Sequence, residues 1–131
     1  MNVLAVGLDL VEIDRFRLLY GEFDPDVLGR CFTAREQEMA GADPDRLARL
    51  AGRFAAKEAV LKTIGGLQDG IALTDVEIVS DGVSPPRVEM TGGALVAAAE
   101  RGITSWQVSL THGVQSAAAV ALAFGTGAAK L

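Results

Sequence analysis

One stretch of the chain constrains the fold more than any other, because it has the pattern of a long helix with a charge on its apolar side. At about 100° per residue, the apolar stripe that begins at Leu47 runs through Phe54 to Leu61. Glu58 falls on the same stripe. A carboxylate on the inward side of a helix is unfavourable unless it is paired, hydrogen-bonded or bound to a metal. The pattern therefore predicts a packed central helix that carries a chemical site.

Both ends of this helix are marked in the sequence. Asp43 and Pro44 resemble an N-cap followed by a proline at the first helical position. The glycine pair Gly65-Gly66 is typical of a C-terminal stop. We therefore expect a helix that opens at Asp43-Pro44, closes at Gly65-Gly66 and is the longest element of the chain.

The rest of the chain alternates strand and helix patterns, without an internal repeat or a linker. Apolar residues alternate with small ones from Val3 to Val11, which predicts a strand. A helix is expected to follow at 12–20, and Thr33 to Glu36 has the capping-box pattern that opens a short helix. The other predicted elements are strands at 75–80 and 87–91, a helix at 93–101, and an antiparallel pair of strands at 106–112 and 117–124.

These elements indicate an α+β fold. We expect a compact single domain over residues 1–124, in which a mainly antiparallel sheet packs against one long helix and shorter helices. Residues 125–131 are small and weakly patterned, so we expect them to form a frayed tail.

The composition is that of an acidic protein, with 131 residues, half of them hydrophobic, a net charge of −5 and a pI near 4.8. This balance argues against a general nucleic-acid-binding surface. No run of about eighteen apolar residues is present, so no membrane span is expected. The N-terminus lacks the basic start of a signal peptide, which favours a cytoplasmic location. The single cysteine, Cys31, permits no internal disulfide and is interpreted as a small, half-buried thiol.

Two carboxylates stand out as candidate metal ligands. Asp9 lies on the small-residue side of the first strand, two positions after Gly7, where small neighbours leave room for an ion to approach. Oxygen ligands with space for water suit Mg²⁺. The alternative is a strand-end aspartate that caps the next helix. Glu58 and Lys62 are four residues apart and either line a cleft or form an ordinary exposed helix pair.

The candidate phosphate-binding residues are cationic. Arg53 and Lys57 are four residues apart on the flank of the apolar stripe, and with Lys62 they are candidates to line a phosphate channel. Their ordinary alternative is a solvated flank. His112, the only histidine, ends a strand and shares its parity with apolar residues, so a core or rim position is its default interpretation.

The chain supplies carboxylates and cations without an evident nucleophile of its own. It has no Cys/His metal cluster, no Gly-x-Ser-x-Gly elbow, no Walker lysine and no Gly-x-Gly-x-x-Gly after a strand. That combination suits Mg²⁺-assisted transfer at a phosphate, in which the enzyme neutralises charge and a substrate brings the attacking group.

Three segments resemble the signatures of a known family, the holo-acyl-carrier-protein synthases, which are small bacterial-type 4′-phosphopantetheinyl transferases. They are 7–15 (GLDLVEIDR), 52–62 (GRFAAKEAVLK) and 108–112 (VSLTH). The stretch from Cys31 to Glu36 is similar to the family's short segment between the first two motifs. The order, the separation and the total length also match, so the resemblance covers nearly the whole chain.

The resemblance implies transfer of phosphopantetheine from coenzyme A to a serine of an apo carrier protein, with loss of adenosine 3′,5′-bisphosphate. On that basis Asp9 and Glu58 bind Mg²⁺, and Glu58 is the base for the serine hydroxyl, directly or through a metal-bound water. Lys62 neutralises the diphosphate as it breaks. The nucleotide end, with its 3′-phosphate, is held by three further residues: Arg53, Lys57 and His112.

The same resemblance implies the partners. Arg15 matches the family's basic position for docking an acidic carrier protein, and Arg17 lies nearby. The family is generally trimeric with sites between subunits, and the strand from Ala117 to Ala123 is a candidate packing surface. Two other functions remain open on the residues alone: a Mg²⁺-dependent hydrolase of nucleotide diphosphates, and a non-catalytic oligomeric binding domain.

Overall fold

The computed structural model describes residues 1–20, 24–80 and 83–127. Within these ranges the elements are β1 (Asn2–Glu12), α1 (Ile13–Tyr20), α2 (Pro25–Cys31), α3 (Ala34–Met39), α4 (Arg46–Thr63), β2 (Val76–Val79), β3 (Arg87–Met90), α5 (Gly92–Glu100), β4 (Ile103–His112) and β5 (Ser116–Gly125). A short 3₁₀ turn, Leu73–Asp75, precedes β2. The predicted α+β class, with an antiparallel sheet and one long helix, is confirmed.

The strands form two antiparallel sheets. The larger has the order β1-β5-β4, with β5 in the centre, and the smaller pairs β2 with β3. In the larger sheet Asp9 pairs with Ala119, and Ala119 pairs with Leu110 on its other side. The predicted pairing of the last two strands is therefore confirmed, and β1 lies at the edge opposite β4.

Helix α4 packs across one face of the larger sheet and contacts all three of its strands. The contact is built from small side chains. On β5 these are Ala117, Ala119, Ala121 and Ala123, and on α4 they are Ala51, Ala55, Ala56 and Ala59, all of them buried. Small residues on both sides let the helix lie close to the strands. These four alanines of β5 are therefore used inside the chain, against α4, and only the other face of this strand is left for the subunit packing that the sequence predicted.

The opposite face of the sheet is open and apolar. Val6, Leu8 and Leu10 of β1 are 56%, 66% and 69% exposed. Their partners on β5, Leu122 and Val120, extend the same face. An apolar patch of this kind on a chain of this size is typical of an interaction surface.

Two details of the helices differ from the sequence expectations. Helix α4 begins at Arg46 rather than at Pro44, because Asp43 forms a turn before it. The Asp43 carboxylate accepts a hydrogen bond from the amide of Asp45 at 2.9 Å, and its carbonyl accepts one from the amide of Arg46 at 3.0 Å. Helix α2 was not predicted, although Asp24 before Pro25 carries the same type of signal.

The predicted ends of other elements agree with the structure. Thr33 and Glu36 form the capping box of α3. After α4, the amide of Gly66 donates to the carbonyl of Leu61 at 2.8 Å, and Gly65 has a φ of +96°, a value that favours glycine. In the region predicted as a tail, Gly125 is still the last residue of β5, and 128–131 lie outside the described residues. Among the described helices, none combines the length and hydropathy needed to cross a bilayer.

Candidate active site

Asp9, Glu58 and Lys62 come together at the side of α4 that faces β1. The Lys62 ammonium donates to Asp9 Oδ1 at 3.1 Å and to the carbonyl of Leu8 at 2.7 Å. Asp9 and Glu58 line the same cavity, which has a volume of about 390 Å³. The structure thus places both sequence-predicted carboxylates at one site within a single chain.

A glycine makes this convergence possible. A Cβ atom at Gly7 would lie 1.8 Å from the carbonyl oxygen of Ala59, so any larger residue would push β1 away from α4. The sequence analysis expected the small residues of β1 to leave room for an ion. That reason is incorrect for Gly7, because its space is filled by the backbone of α4, which brings Asp9 within reach of Lys62.

Asp9 does not act as the cap of the following helix, which was its alternative interpretation. It lies within β1, and its carboxylate accepts from Lys62. The exposed helix pair proposed as an alternative for Glu58 and Lys62 is not what the structure has either. Glu58 is partly buried in the cavity, and Lys62 pairs with a residue of the neighbouring strand.

The electrostatics of the site favour a bound cation. Burial raises the pKa of Glu58, the nearby charge of Asp9 raises it further, and Lys62 acts in the opposite direction. Of the two carboxylates, Asp9 alone forms an ion pair with Lys62 in the described part of the chain, so together they carry more negative charge than this ammonium offsets. A divalent cation between the carboxylates would relieve that excess.

The available ligands suit Mg²⁺, which keeps water and substrate ligands, better than a metal ion that is bound by protein side chains alone. Within 1–20, 24–80 and 83–127, no group of three or more His, Cys, Asp or Glu residues is arranged to hold a metal ion. Mg²⁺ is commonly bound by one or two carboxylates, with waters and substrate phosphates completing its shell. Asp9 and Glu58 supply that number of carboxylates.

Arg15 lies on the wall of the same cavity. It is an exposed residue of α1, and Leu19, one turn further on, lines the cavity with it. Arg17 is also exposed on this helix, and Leu18 is 85% exposed. The cavity therefore opens beside a helix surface that carries positive charge and apolar side chains.

Arg53 and His112 line a second, larger cavity of about 530 Å³. Gly52 of α4 faces β4 here, close to the Leu110 side chain and next to His112. A Cβ there would lie 3.2 Å from Leu110 Cδ1 and 3.8 Å from His112 Cδ2. His112 is exposed at the end of edge strand β4, so it is a rim residue rather than a core residue.

Arg53 is almost fully buried, with 8% of its surface exposed. Its Nε atom is buried without a hydrogen-bond partner, and no ion pair involves Arg53 within the described residues. Burial lowers its pKa, while the charge of Glu36 acts in the opposite direction. A buried guanidinium without a counter-ion at a cavity wall is a favourable site for an anion.

Lys57 is not brought to either cavity. Its ammonium lies 2.6 Å from Glu36 Oε1, and neither side chain has any exposed surface. The ammonium also lies 5.6 Å from the centroid of the Phe32 ring. The solvated flank that was the alternative for this residue is therefore incorrect, and a direct contact of Lys57 with a ligand has no support in the structure.

Two residues near the sites were not singled out from the sequence. Glu36 was noticed as part of a capping box and of the Cys31 to Glu36 stretch, without a role of its own, yet it is the buried partner of Lys57. Arg49 lines the larger cavity with Arg53, and it also pairs with Asp43 at 2.7 Å. Its spacing of four residues from Arg53 on one helix was a signal that the sequence did contain.

Comparisons with known proteins agree with this architecture. A family model described as the 4′-phosphopantetheinyl transferase superfamily matches residues 5–122. The holo-[acyl-carrier-protein] synthase of Streptomyces avermitilis is 42% identical over 125 residues, which are 95% of this chain and 100% of the relative.

Solved structures give the same result. The acyl carrier protein synthase of Mycobacterium tuberculosis superimposes with a TM-score of 0.73 and 34% identity, over 95% of this chain and 100% of that one. An ACPS–CoA complex from Chronobacterium ammoniagenes gives a TM-score of 0.76 and 25% identity, over 93% and 97% of the two chains. The chain therefore belongs to the 4′-phosphopantetheinyl transferase superfamily, and within it to the holo-acyl-carrier-protein synthases.

Proposed function

We propose that this chain transfers the 4′-phosphopantetheine group of coenzyme A to a serine of an apo acyl carrier protein, with Mg²⁺ as cofactor, and releases adenosine 3′,5′-bisphosphate. The observation that carries the proposal is the convergence of Asp9 and Glu58 at one cavity, with the Lys62 ammonium bonded to Asp9. The name of the Streptomyces avermitilis relative supports the carrier protein as acceptor, and the complex from Chronobacterium ammoniagenes supports coenzyme A as donor.

The two carboxylates are the metal-binding residues of the proposal. Asp9 is bonded to Lys62, and Glu58 is carried by α4 to the same cavity as Asp9. When bound, Mg²⁺ would neutralise charge on the diphosphate and make its phosphorus more open to attack. The remaining coordination positions are left to water and to the substrate, as is usual for this ion.

Glu58 is also the base of the proposal. Its partly buried carboxylate accepts the proton of the carrier serine as the hydroxyl attacks the phosphorus. Lys62 is half-exposed and bonded to Asp9, so its ammonium can donate to diphosphate oxygens while the bond to the nucleotide breaks. The nucleophile belongs to the partner, which accounts for a site built only from carboxylates and cations.

Arg53 and His112 hold the nucleotide end. Arg53, which forms no ion pair within the described residues, and the exposed His112 line the same cavity, where they would contact phosphate oxygens. Lys57 has no exposed surface, so we assign it an indirect role in place of the phosphate contact expected from the family resemblance.

The active site is proposed to be shared between subunits of a homotrimer. Arg53 and Glu58 are five residues apart, which places them about 140° apart around the axis of α4. The two cavities accordingly lie at opposite edges of the sheet, one beside β1 and one beside β4. An extended ligand such as coenzyme A would reach both cavities most directly if the cavity beside β1 belonged to one chain and the cavity beside β4 to its neighbour.

Docking of the carrier protein is assigned to α1. Arg15 lies at the cavity that holds the proposed base, so an acidic carrier bound there would have its serine near Glu58. A cytoplasmic location, where coenzyme A and carrier proteins meet, stays a prediction from the sequence.

The proposal is tested by the intact mass of an apo acyl carrier protein after incubation with this protein, coenzyme A and Mg²⁺. The expected result is a mass gain of one phosphopantetheine arm with the wild-type protein. Asp9→Ala and Glu58→Ala should give no gain, while Asp69→Ala, an exposed aspartate that lines neither cavity, should behave as wild type. Cleavage of coenzyme A without modification of the carrier would indicate a hydrolase, and inert binding would indicate a non-catalytic domain. Either result would contradict the proposal.

A further inference from the structure

The carboxylate of Glu36 joins three elements of the fold in the buried interior. Its Oε1 atom accepts from the amide of Thr33 at 2.9 Å and from the ammonium of Lys57 at 2.6 Å. Its Oε2 atom accepts from the amide of Ile78 at 3.0 Å. One side chain therefore connects the start of α3, strand β2 and the middle of α4.

Stability alone does not account for this ion pair. Both side chains are fully buried, and an apolar pair of similar volume is often as stable as a buried ion pair. Burial lowers the pKa of Lys57, which shows that the ammonium is held at a cost that Glu36 offsets. The location of the Lys57–Glu36 pair next to Arg53, which lines the larger cavity, suggests a functional reason for burying it.

Lys57 lies one helical turn from Arg53 on α4. Within the described residues, Glu36 is the carboxylate whose charge acts on the Arg53 guanidinium. No acid forms an ion pair with Arg53 in that part of the chain, and its Nε atom has no hydrogen-bond partner. Glu36 therefore has two buried cations within its influence and forms its ion pair with one of them.

We propose that Lys57 is a positioning residue that keeps Arg53 available for an anion, because it occupies the carboxylate that would otherwise pair with the Arg53 guanidinium. This inference rests on the proposed function, in which Arg53 binds the nucleotide end of coenzyme A. Lys57 acts from behind the cavity wall and does not touch the substrate.

The same contacts hold the walls of the larger cavity. Ile78, whose amide donates to Glu36, lines that cavity, and so does Met39, which lies one turn after Glu36 on α3. If the Glu36 carboxylate turned towards Arg53, it would remove the anion-binding charge and release the β2 contact together.

The test is the affinity for coenzyme A of Lys57→Met and of the double variant Glu36→Gln/Lys57→Met, measured by calorimetry without carrier protein. Lys57→Met leaves Glu36 without its partner, so the affinity should fall about tenfold or more, which corresponds to about 1.4 kcal/mol. Gln still satisfies a capping box but carries no charge, so the double variant should return to within about threefold of wild type.

A purely structural role of the pair predicts the opposite order, with the double variant at least as impaired as Lys57→Met. That order, or wild-type affinity in Lys57→Met, would overturn the inference. Glu36→Gln alone is a second test in case Lys57→Met does not fold. Arg53 should then bind coenzyme A at least as well as in the wild type, and a large loss of affinity in a folded Glu36→Gln protein would overturn the inference.

The KM for the carrier protein provides the matching control. It should change little in the folded variants, because Arg15 and α1 lie at the other cavity. A wild-type protein that does not bind coenzyme A would overturn the proposed function and this inference with it. Normal wild-type binding without rescue in the double variant would overturn this inference alone.

Discussion

Two neighbouring residues of α4 have opposite environments, although both are charged. Lys57 points into the interior and pairs with Glu36, whereas Glu58 lines a cavity next to Asp9. Consecutive side chains of a helix point about 100° apart, so one position can serve packing while the next serves chemistry. In this chain the buried ion pair of Lys57 with Glu36 anchors α4 at the position next to Glu58, the proposed base.

Arg15 offers a test at the scale of a single side chain. Arg15→Glu should raise the KM for the carrier protein about tenfold, because a cation that attracts an acidic partner becomes an anion that repels it. The affinity for coenzyme A should stay nearly unchanged. Steady-state kinetics with each substrate varied in turn gives both values.

The control for this change is Arg30→Glu, since Arg30 is exposed on α2 and lines neither cavity. It should have wild-type kinetics. Equal losses for coenzyme A and carrier protein in Arg15→Glu would contradict a docking role for Arg15.

The residue scale also shows what the sequence could predict. The helical stripe correctly indicated that Glu58 is not an ordinary exposed residue, because period and polarity are local properties. The burial of Lys57 could not be predicted in the same way. Its partner Glu36 lies 21 residues away, and no pattern in the sequence associates the two.

At the scale of elements, the distance between β1 and α4 determines whether the site exists. Alanines line both sides of the helix–sheet contact, and Gly7 brings the β1 backbone against Ala59. Asp9 then lies two residues along β1, where Lys62 can reach both its carboxylate and the carbonyl of Leu8. The site is therefore a consequence of close packing as much as of the charged residues themselves.

Gly7→Ala tests this packing. A Cβ at 1.8 Å from the Ala59 carbonyl oxygen cannot be accommodated without moving β1, so the free energy of unfolding should fall by about 3 kcal/mol or more. Chemical denaturation followed by circular dichroism measures the change. Any folded fraction should also lose transfer activity, because Asp9 moves with the strand.

Gly29→Ala is the matched control, since nothing lies within 4 Å of a Cβ at this helical position. It should be neutral or stabilise the protein by about 0.5–1 kcal/mol, as alanine is favoured over glycine inside a helix. Equal stability of Gly7→Ala and wild type would contradict the close contact.

The order and type of most elements followed from local patterns, including the capping box at Thr33 and the glycines after α4. The sequence analysis was wrong at two Asp-Pro dipeptides: it missed helix α2 and placed the start of α4 too early. Such a dipeptide can begin either a helix or a turn. Asp24 caps α2 directly, but Asp43 lies three residues before the start of α4 and forms a turn there. Which outcome occurs depends on the packing of the segment that follows, and a dipeptide does not contain that information.

At the scale of the whole molecule, the open sheet face predicts assembly. Leu8→Asp places a charge on this face, at the middle of edge strand β1, where Leu8 is 66% exposed and pairs with Val120. The proposed trimer should dissociate to monomers, because burial of the unpaired carboxylate is unfavourable. Light scattering coupled to gel filtration gives the mass.

Leu95→Asp is the control for that experiment, since Leu95 is 50% exposed on α5, away from the sheet face. It should leave the oligomer intact. A Leu8→Asp protein that keeps the wild-type mass, or a wild-type protein that is monomeric, would contradict assembly through this face.

Sharing of the active site between chains leads to a complementation experiment. Glu58→Gln removes the proposed base and His112→Ala removes a nucleotide contact, so each variant should have little activity alone. In mixed trimers, some sites would receive the cavity beside β1, with Glu58 intact, from one variant. The same sites would receive the cavity beside β4, with His112 intact, from the other variant. Mixing after mild dissociation should therefore restore a substantial part of the transfer activity, measured by carrier mass. Mixed trimers with no restored activity would indicate that each site belongs to one chain.

The account depends most on one divalent cation bound jointly by Asp9 and Glu58. Its most direct test is anomalous diffraction from crystals grown with coenzyme A and Mn²⁺ in place of Mg²⁺. We predict a single anomalous peak at this cavity, within about 2.5 Å of a carboxylate oxygen of each residue. A cation that contacts only one of the two carboxylates, or neither, would contradict the account.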